Sequence, residues 1–239
     1  YAATTAPAGE KYDVTPAQVG RREMQVTSLS FLGKLGTEDI MSRANHQYMT
    51  AKNMTEALGA ISILTRMDGD FLEIQDGALD HFHQKHKGTS TLVDKWLQLQ
   101  ASMAHPDPLA HAQALMKHSV YDPTNPNKVY AVMGGLIVGH PTVFHAKDGS
   151  GYKFLADVVI GMNAVNPKTA AGLASRFTQF KRYDEQRQAL MVQEMERIMA
   201  TPQLSSGVRE ILGKALDTAK KPGNDNAAAR KFGGAAKPN

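Results

Sequence analysis

The chain has 239 residues, of which 42 % are apolar, no cysteine and a formal net charge of +4. That length supports a sizeable core, and the lack of cysteine excludes disulfides, thiolate catalysis and cysteine-ligated zinc within it. No run of about 18 apolar residues marks a membrane span, and the N-terminus lacks the charged start and apolar core of a secretory signal. Of the 27 basic and 23 acidic residues, five basic and one acidic lie after Ala219, so 22 of each sign remain upstream. The folded part therefore has no overall basic bias, and neither a nucleic-acid nor a membrane partner is expected. A cytoplasmic location is expected. The first residue is Tyr1 rather than Met, so the chain is expected to be a piece of a longer polypeptide.

Residues 1–13 are rich in Ala, Thr, Gly and Pro and read as an extended N-terminal segment. Thr15-Pro16 then opens a helix that runs to about Gly36, a residue suited to a left-handed cap. Thr37 starts a second helix, to about Lys52. A third, Met54 to Met67, places Met54, Leu58, Ile61 and Leu64 on one face. Asp68-Gly69-Asp70 is a turn, and the next helix reaches about Lys87-Gly88. Thr91 to Met103 carries Leu92, Trp96, Leu99 and Met103 in one stripe. Asp107-Pro108 opens a helix to about Ser119.

Asn125-Pro126 and Asn166-Pro167 each begin an apolar helical run. Proline suits the first turn because its missing N–H had no partner there, and the asparagine accepts from a free N–H. The polar turn Asp148-Gly149-Ser150-Gly151 starts a helix between them. These signals predict helices at about 126–138, 150–163 and 167–182, followed by 185–200 and 204–218. No segment sustains period-two alternation with β-branched enrichment. Residues 220–239 have few apolar groups and many breakers, and predict a disordered basic tail.

The chain thus reads as all-α. Helix pairs begin near 16, 54, 91, 126 and 167, a period of roughly 35–40 residues, the range of helical repeats. An ARM/HEAT-like α-solenoid of antiparallel helix pairs over residues 14–219 is the predicted architecture, with an irregular bundle as the alternative.

Histidines are the first candidates for chemistry. His81, His83 and His86 cluster at a helix end, but no carboxylate lies at a fitting spacing, and Lys85 and Lys87 add positive charge. Surface histidines on a polar helix end are expected. His111 and His118 lie about two turns apart, near opposite ends of one helix, with no third ligand. The His-Glu-x-x-His zinc motif is absent. Asp148-Gly149-Ser150-Gly151 lacks the spacing of a phosphate loop and reads as a helix cap. Gly134-Gly135 inside a helix suggests close packing or a bend. Arg176 stands on a helix whose core positions are Leu173, Phe177 and Phe180. It could hold a carboxylate with its forked guanidinium, or be an exposed or internally paired arginine. No nucleophile–base arrangement has a motif around it, so no catalytic residue and no metal ligand is assigned.

Several short stretches also resemble a known family. Asn53-Met54-Thr55, then Asp94-Lys95-Trp96 with Gln98 and Gln100-Ala101, resemble segments of the bacterial aminopeptidase N-type zinc peptidases. Asn125-Pro126-Asn127, Phe144-His145-Ala146, Asp148-Gly149-Ser150-Gly151-Tyr152 and Lys181-Arg182-Tyr183-Asp184 continue the likeness in the family's order, over about residues 17–216. The resemblance implies the C-terminal helical domain of such an enzyme. It implies a superhelical array that packs over the catalytic domain of the same polypeptide and encloses the active-site chamber. The partners implied are that domain and a peptide substrate. The cofactor implied is zinc in the catalytic domain, with none in this chain. The family's zinc motif, its general-base glutamate and its Gly-x-Met-Glu-Asn motif do not occur here, so this chain alone is expected to be inactive. Arg176 matches a family arginine that faces the chamber and meets the distal end of the peptide. Relatives can carry a second basic residue two positions after Lys128, where this sequence has Tyr130. A free-standing helical scaffold that binds protein or peptide is the alternative function.

Overall fold

The computed structural model describes residues 1–7, 10–68 and 71–220. Among them every regular element is helical and none is a strand. The chain divides into two compact units, Tyr1–Phe144 and His145 onward.

The first unit holds Pro16–Gly33 (α1), Glu38–Thr50 (α2), Met54–Leu64 (α3), Leu72–His86 (α4), Ser90–Ser102 (α5), Pro108–Leu115 (α6), Pro126–Gly139 (α7) and the single turn Pro141–Phe144 (α8). A 3-10 turn at Ala2–Thr4 precedes them. The second unit holds Ser150–Val165 (α9), Pro167–Ala174 (α10), Glu185–Met199 (α11) and Ser206–Lys220 (α12), with a 3-10 helix at Ser175–Arg182.

Helix starts follow local chemistry. Asn53, Asp107, Asn166 and Asp184 each accept the N–H three residues on, and Asn125 accepts that of Asn127. Each such bond satisfies an N–H that has no partner inside the helix. Gly36 and Gly149 take positive φ, at +59° and +75°, where a Cβ would be strained.

Helix ends depend on distant partners. The helix predicted over Met54–Met67 stops at Leu64. The Gln75 side chain donates to Leu64 O and Met67 O, and Ala104 N donates to Thr65 O. Those carbonyls are satisfied without a further helical turn. Similarly α1 ends at Gly33 and α6 at Leu115, so His118 lies beyond the helix that was expected to carry it. The predicted 167–182 helix is α only to Ala174 and continues as 3-10. The turn predicted at Asp68-Gly69-Asp70 and the predicted tail lie largely outside the described residues.

Apolar stripes fill each unit's core. Ile61, Leu64, Leu79, Phe82, Leu97, Val132 and Leu136 are buried in the first unit, and Leu155, Val159, Leu173, Phe177, Met195 and Leu212 in the second. The most extensive helix pair is α5 with α7. Two glycines make it close. A Cβ on Gly135 would lie 2.6 Å from Ala101 Cβ and 2.8 Å from Gln98 O, and one on Gly139 would lie 2.7 Å from Ser102 Cβ. A Cβ on Gly134 meets nothing within 4 Å, so only one of the paired glycines serves this contact.

Candidate functional site

Arg176 lies in the 3-10 helix of the second unit. Three residues per turn sort this segment into three strips. Phe177 and Phe180 form the buried strip. Arg176, Gln179 and Arg182 form a second strip, and all three are exposed. Two turns separate Arg176 from Arg182, about 12 Å at the 3-10 rise. Lys181 is exposed as well, and the segment Ser175–Arg182 contains no acid. Among the described residues, Arg176 makes no side-chain hydrogen bond or ion pair. The internally paired alternative finds no partner for the guanidinium among the described residues.

The expected core spacing is retained under the different helix type. Leu173, Phe177 and Phe180 are all buried. An α-helix and a 3-10 helix both bring positions 177 and 180 to one face, so the burial pattern did not distinguish them.

In the same unit three of the quoted motifs converge. The His145 ring sits between two phenols, with Nδ1 2.9 Å from the Tyr152 hydroxyl and Nε2 2.9 Å from the Tyr183 hydroxyl. Its ring stacks on Tyr183 at 4.3 Å between centroids. A neutral imidazole has one N–H and one lone pair. One tyrosine therefore donates to the ring and the other accepts from it. Burial pushes the Tyr152 hydroxyl up to about 12. Burial, then the nearby Arg187 charge, holds His145 below the ordinary imidazole value. Arg187 donates from Nε to His145 O at 2.6 Å and pairs with Asp184, which caps α11. Asp148 accepts from the Ser150 N–H at 3.0 Å and its hydroxyl at 2.8 Å, within the polar turn predicted to start α9, whose N-cap is Gly149.

In the first unit Asp94 of a quoted motif pairs with Lys128, the residue after Asn125-Pro126-Asn127. Lys128 Nζ lies 3.3 Å from Asp94 Oδ1, with side chains 12 % and 14 % exposed. This pair joins α7 to α5. Tyr130, two positions on, is exposed. Neither the pair nor the His145 network was assigned from sequence. The signal that could have found them is the chemistry of the motifs themselves: an acid, a lysine, a histidine and two tyrosines without assigned partners.

The histidine cluster differs from expectation. His81 is exposed, but His83 is half-buried, with its ring 4.6 Å from that of Trp96. His118 packs on the same indole, at 5.2 Å between centroids. A polar helix end was expected to carry surface rings, but the large flat indole covers one of them. Among the described residues no three His, Asp or Glu side chains are grouped to hold a metal ion. None of the helices there is long and apolar enough to cross a membrane.

A family model described as a domain of unknown function, DUF3458_C, ARM repeats, matches residues 1–217. The aminopeptidase N of Haemophilus influenzae is 35 % identical over 207 residues, which is 86 % of this chain and 23 % of that protein. The aminopeptidase N of Caulobacter vibrioides is 33 % identical over 200 residues, 84 % of this chain and 23 % of that protein. The aminopeptidase N of Escherichia coli is 30 % identical over 208 residues, with 86 % and 23 % covered. A crystal structure of Legionella pneumophila aminopeptidase A in complex with aspartic acid superposes with a TM-score of 0.78 at 32 % identity, over 88 % of this chain and 25 % of that one. The chain thus spans about a quarter of the length of these relatives.

Proposed function

The chain belongs to the DUF3458_C family of ARM-repeat domains, and from that premise we propose that it is the C-terminal helical domain of a zinc-dependent aminopeptidase. The observation that carries this reading is identity of 30–35 % over most of the chain to three proteins named aminopeptidase N. The whole enzyme would remove N-terminal residues from peptides. This chain would wall the active-site chamber, restrict access to unfolded peptides and contact the peptide's distal end.

The described residues do not fit a zinc site. Zinc is assigned to the catalytic domain of the same polypeptide, where it would supply a Lewis acid and an activated water. This chain's own contribution is electrostatic and steric. Arg176, exposed and unpaired among the described residues, is proposed to hold a peptide carboxylate through its forked guanidinium. Gln179 and Arg182 on the same strip extend the polar face.

Two measurements test the reading. The 239-residue chain alone, with zinc added, is expected to hydrolyse no amino-acyl arylamide. Turnover that survives extensive purification would sink the claim that catalysis resides elsewhere. In the longer polypeptide, Arg176→Ala is expected to raise KM for tripeptides and tetrapeptides about tenfold, equivalent to about 1.4 kcal/mol. KM for arylamides, which have no distal carboxylate, should stay within about twofold on the same argument. Equal effects on both substrates would remove Arg176 from the site.

A further inference from the structure

His105-Pro106-Asp107-Pro108 leads from α5 into α6. Both prolines lack a backbone N–H. The Asp107 N–H is therefore the only main-chain donor between His105 and Leu109. It donates to His105 Nδ1 at 3.0 Å. Asp107 is also the N-cap of α6, accepting from Ala110 N at 2.9 Å. The start of α6 is thus tied to an imidazole nitrogen, which accepts only while it carries no proton. The preceding residue is fixed differently. Ala104 N donates to Thr65 O, a carbonyl that does not titrate.

A second imidazole lies on the first. The rings of His105 and His111, both half-buried, stack with 4.5 Å between centroids and 22° between planes. His111 Nε2 lies 3.2 Å from Gln100 Oε1, an amide oxygen, so that nitrogen carries the hydrogen and donates to α5. Burial, then the charge of His105, holds His111 below the ordinary imidazole value. His140 at the end of α7 and Asp76 of α4 also act on His111, and Arg66, just past α3, acts on His140. Neither α6 itself, beyond His111, nor α8 carries a titratable side chain. Three imidazoles and a guanidinium thus stand against the Asp76 carboxylate and that of Asp107, which is engaged as a cap. Two charged rings stacked this closely repel each other.

We propose that His105 is a proton-operated latch on α6. While its ring is neutral, Nδ1 holds the Asp107 N–H and the ring stacks on His111, so the helix start is fixed beside α5. A proton on Nδ1 removes that acceptor and sets a charge against the stacked partner. The segment from His105 to Leu115 then opens locally, while α5 and α7 stay folded. The latch goes beyond the function proposed above and does not depend on it.

Amide hydrogen exchange of the 239-residue chain, read by mass spectrometry and corrected for the intrinsic pH dependence of exchange, tests this. Protection across residues 109–115 is expected to fall at least about fivefold, relative to α7, between about pH 7.5 and about pH 5.5. His105→Asn keeps an oxygen placed to accept the Asp107 N–H, as in an Asx turn, and takes no proton. Its protection should change by less than about twofold over the same range. His105→Ala removes the acceptor and should be as weakly protected in α6 at about pH 7.5 as the parent chain is at about pH 5.5, with α7 within about twofold of the parent. Should His105→Ala not fold, the contrast between the parent chain and His105→Asn decides the matter. A pH-dependent loss in His105→Asn equal to that of the parent would overturn the latch and pass the effect to His111 or His140. A loss spread evenly over α5, α6 and α7 would overturn it too, since that is global unfolding.

Discussion

Gly134 and Gly135 are adjacent in one helix, and the structure assigns opposite signs to the same substitution at each. A Cβ on Gly134 meets nothing within 4 Å. Gly134→Ala therefore gains helix propensity alone, about 0.8–1 kcal/mol. A Cβ on Gly135 would sit 2.6 Å from Ala101 Cβ and 2.8 Å from the carbonyl oxygen of Gln98. Both obstacles are fixed to α5 backbone, so α5 and α7 must separate rather than a side chain rotate. Overpacking of this kind costs about 1–3 kcal/mol. The propensity gain is common to both variants and cancels in their difference. Gly135→Ala is thus expected to be less stable than Gly134→Ala by about 1–3 kcal/mol. Urea unfolding followed by fluorescence of Trp96, the only tryptophan and itself on α5, reads this unit directly. A Gly135→Ala chain as stable as Gly134→Ala, with the same slope in urea, would refute the close approach of the two helices.

Three further outcomes are expected. Removing Asp94 leaves Lys128 uncompensated in a mostly buried site, so Asp94→Ala should cost about 1–3 kcal/mol, and a double-mutant cycle with Lys128→Met should return a coupling of at least about 0.5 kcal/mol. A coupling near zero would make the contact incidental. Tyr183→Phe removes one of the two hydroxyls on His145 and should destabilise by about 1–2 kcal/mol in urea melts, whereas an unchanged midpoint would show that the Tyr183 hydroxyl adds nothing to stability. Burial holds His83, His86, His111, His140 and His145 below the ordinary imidazole value, and at His111 the neighbouring His105 charge adds to it. The unfolded chain therefore takes up protons first as pH falls through about 6.5, so stability should drop from about pH 7 downward through the folded values. A urea midpoint at about pH 5.5 equal to or above that at about pH 7.5 would contradict this linkage.

Much of the helical plan was legible because its signals are local. Asn53, Asp107, Asn125, Asn166 and Asp184 each satisfy an N–H within three residues, and the proline after three of them suits a first turn. The polar turn Asp148-Gly149-Ser150-Gly151 was legible as a helix start for the same reason. Apolar spacing likewise placed Leu173, Phe177 and Phe180 in the core.

What the tertiary structure alone decided depends on partners far along the chain. Helix α3 ends at Leu64 because Gln75 and Ala104 take the carbonyls beyond it. Gly135, not Gly134, meets α5 because the approach direction of a second helix is absent from a one-dimensional pattern. His83 lies against Trp96, and His145 lies between Tyr152 and Tyr183, because side chains 13, 7 and 38 positions apart fold together. Periodicity records which face of a helix is apolar. It does not record what the opposite wall contributes, and two windings that bury the same phenylalanines, α and 3-10, are separated only once that wall is in place.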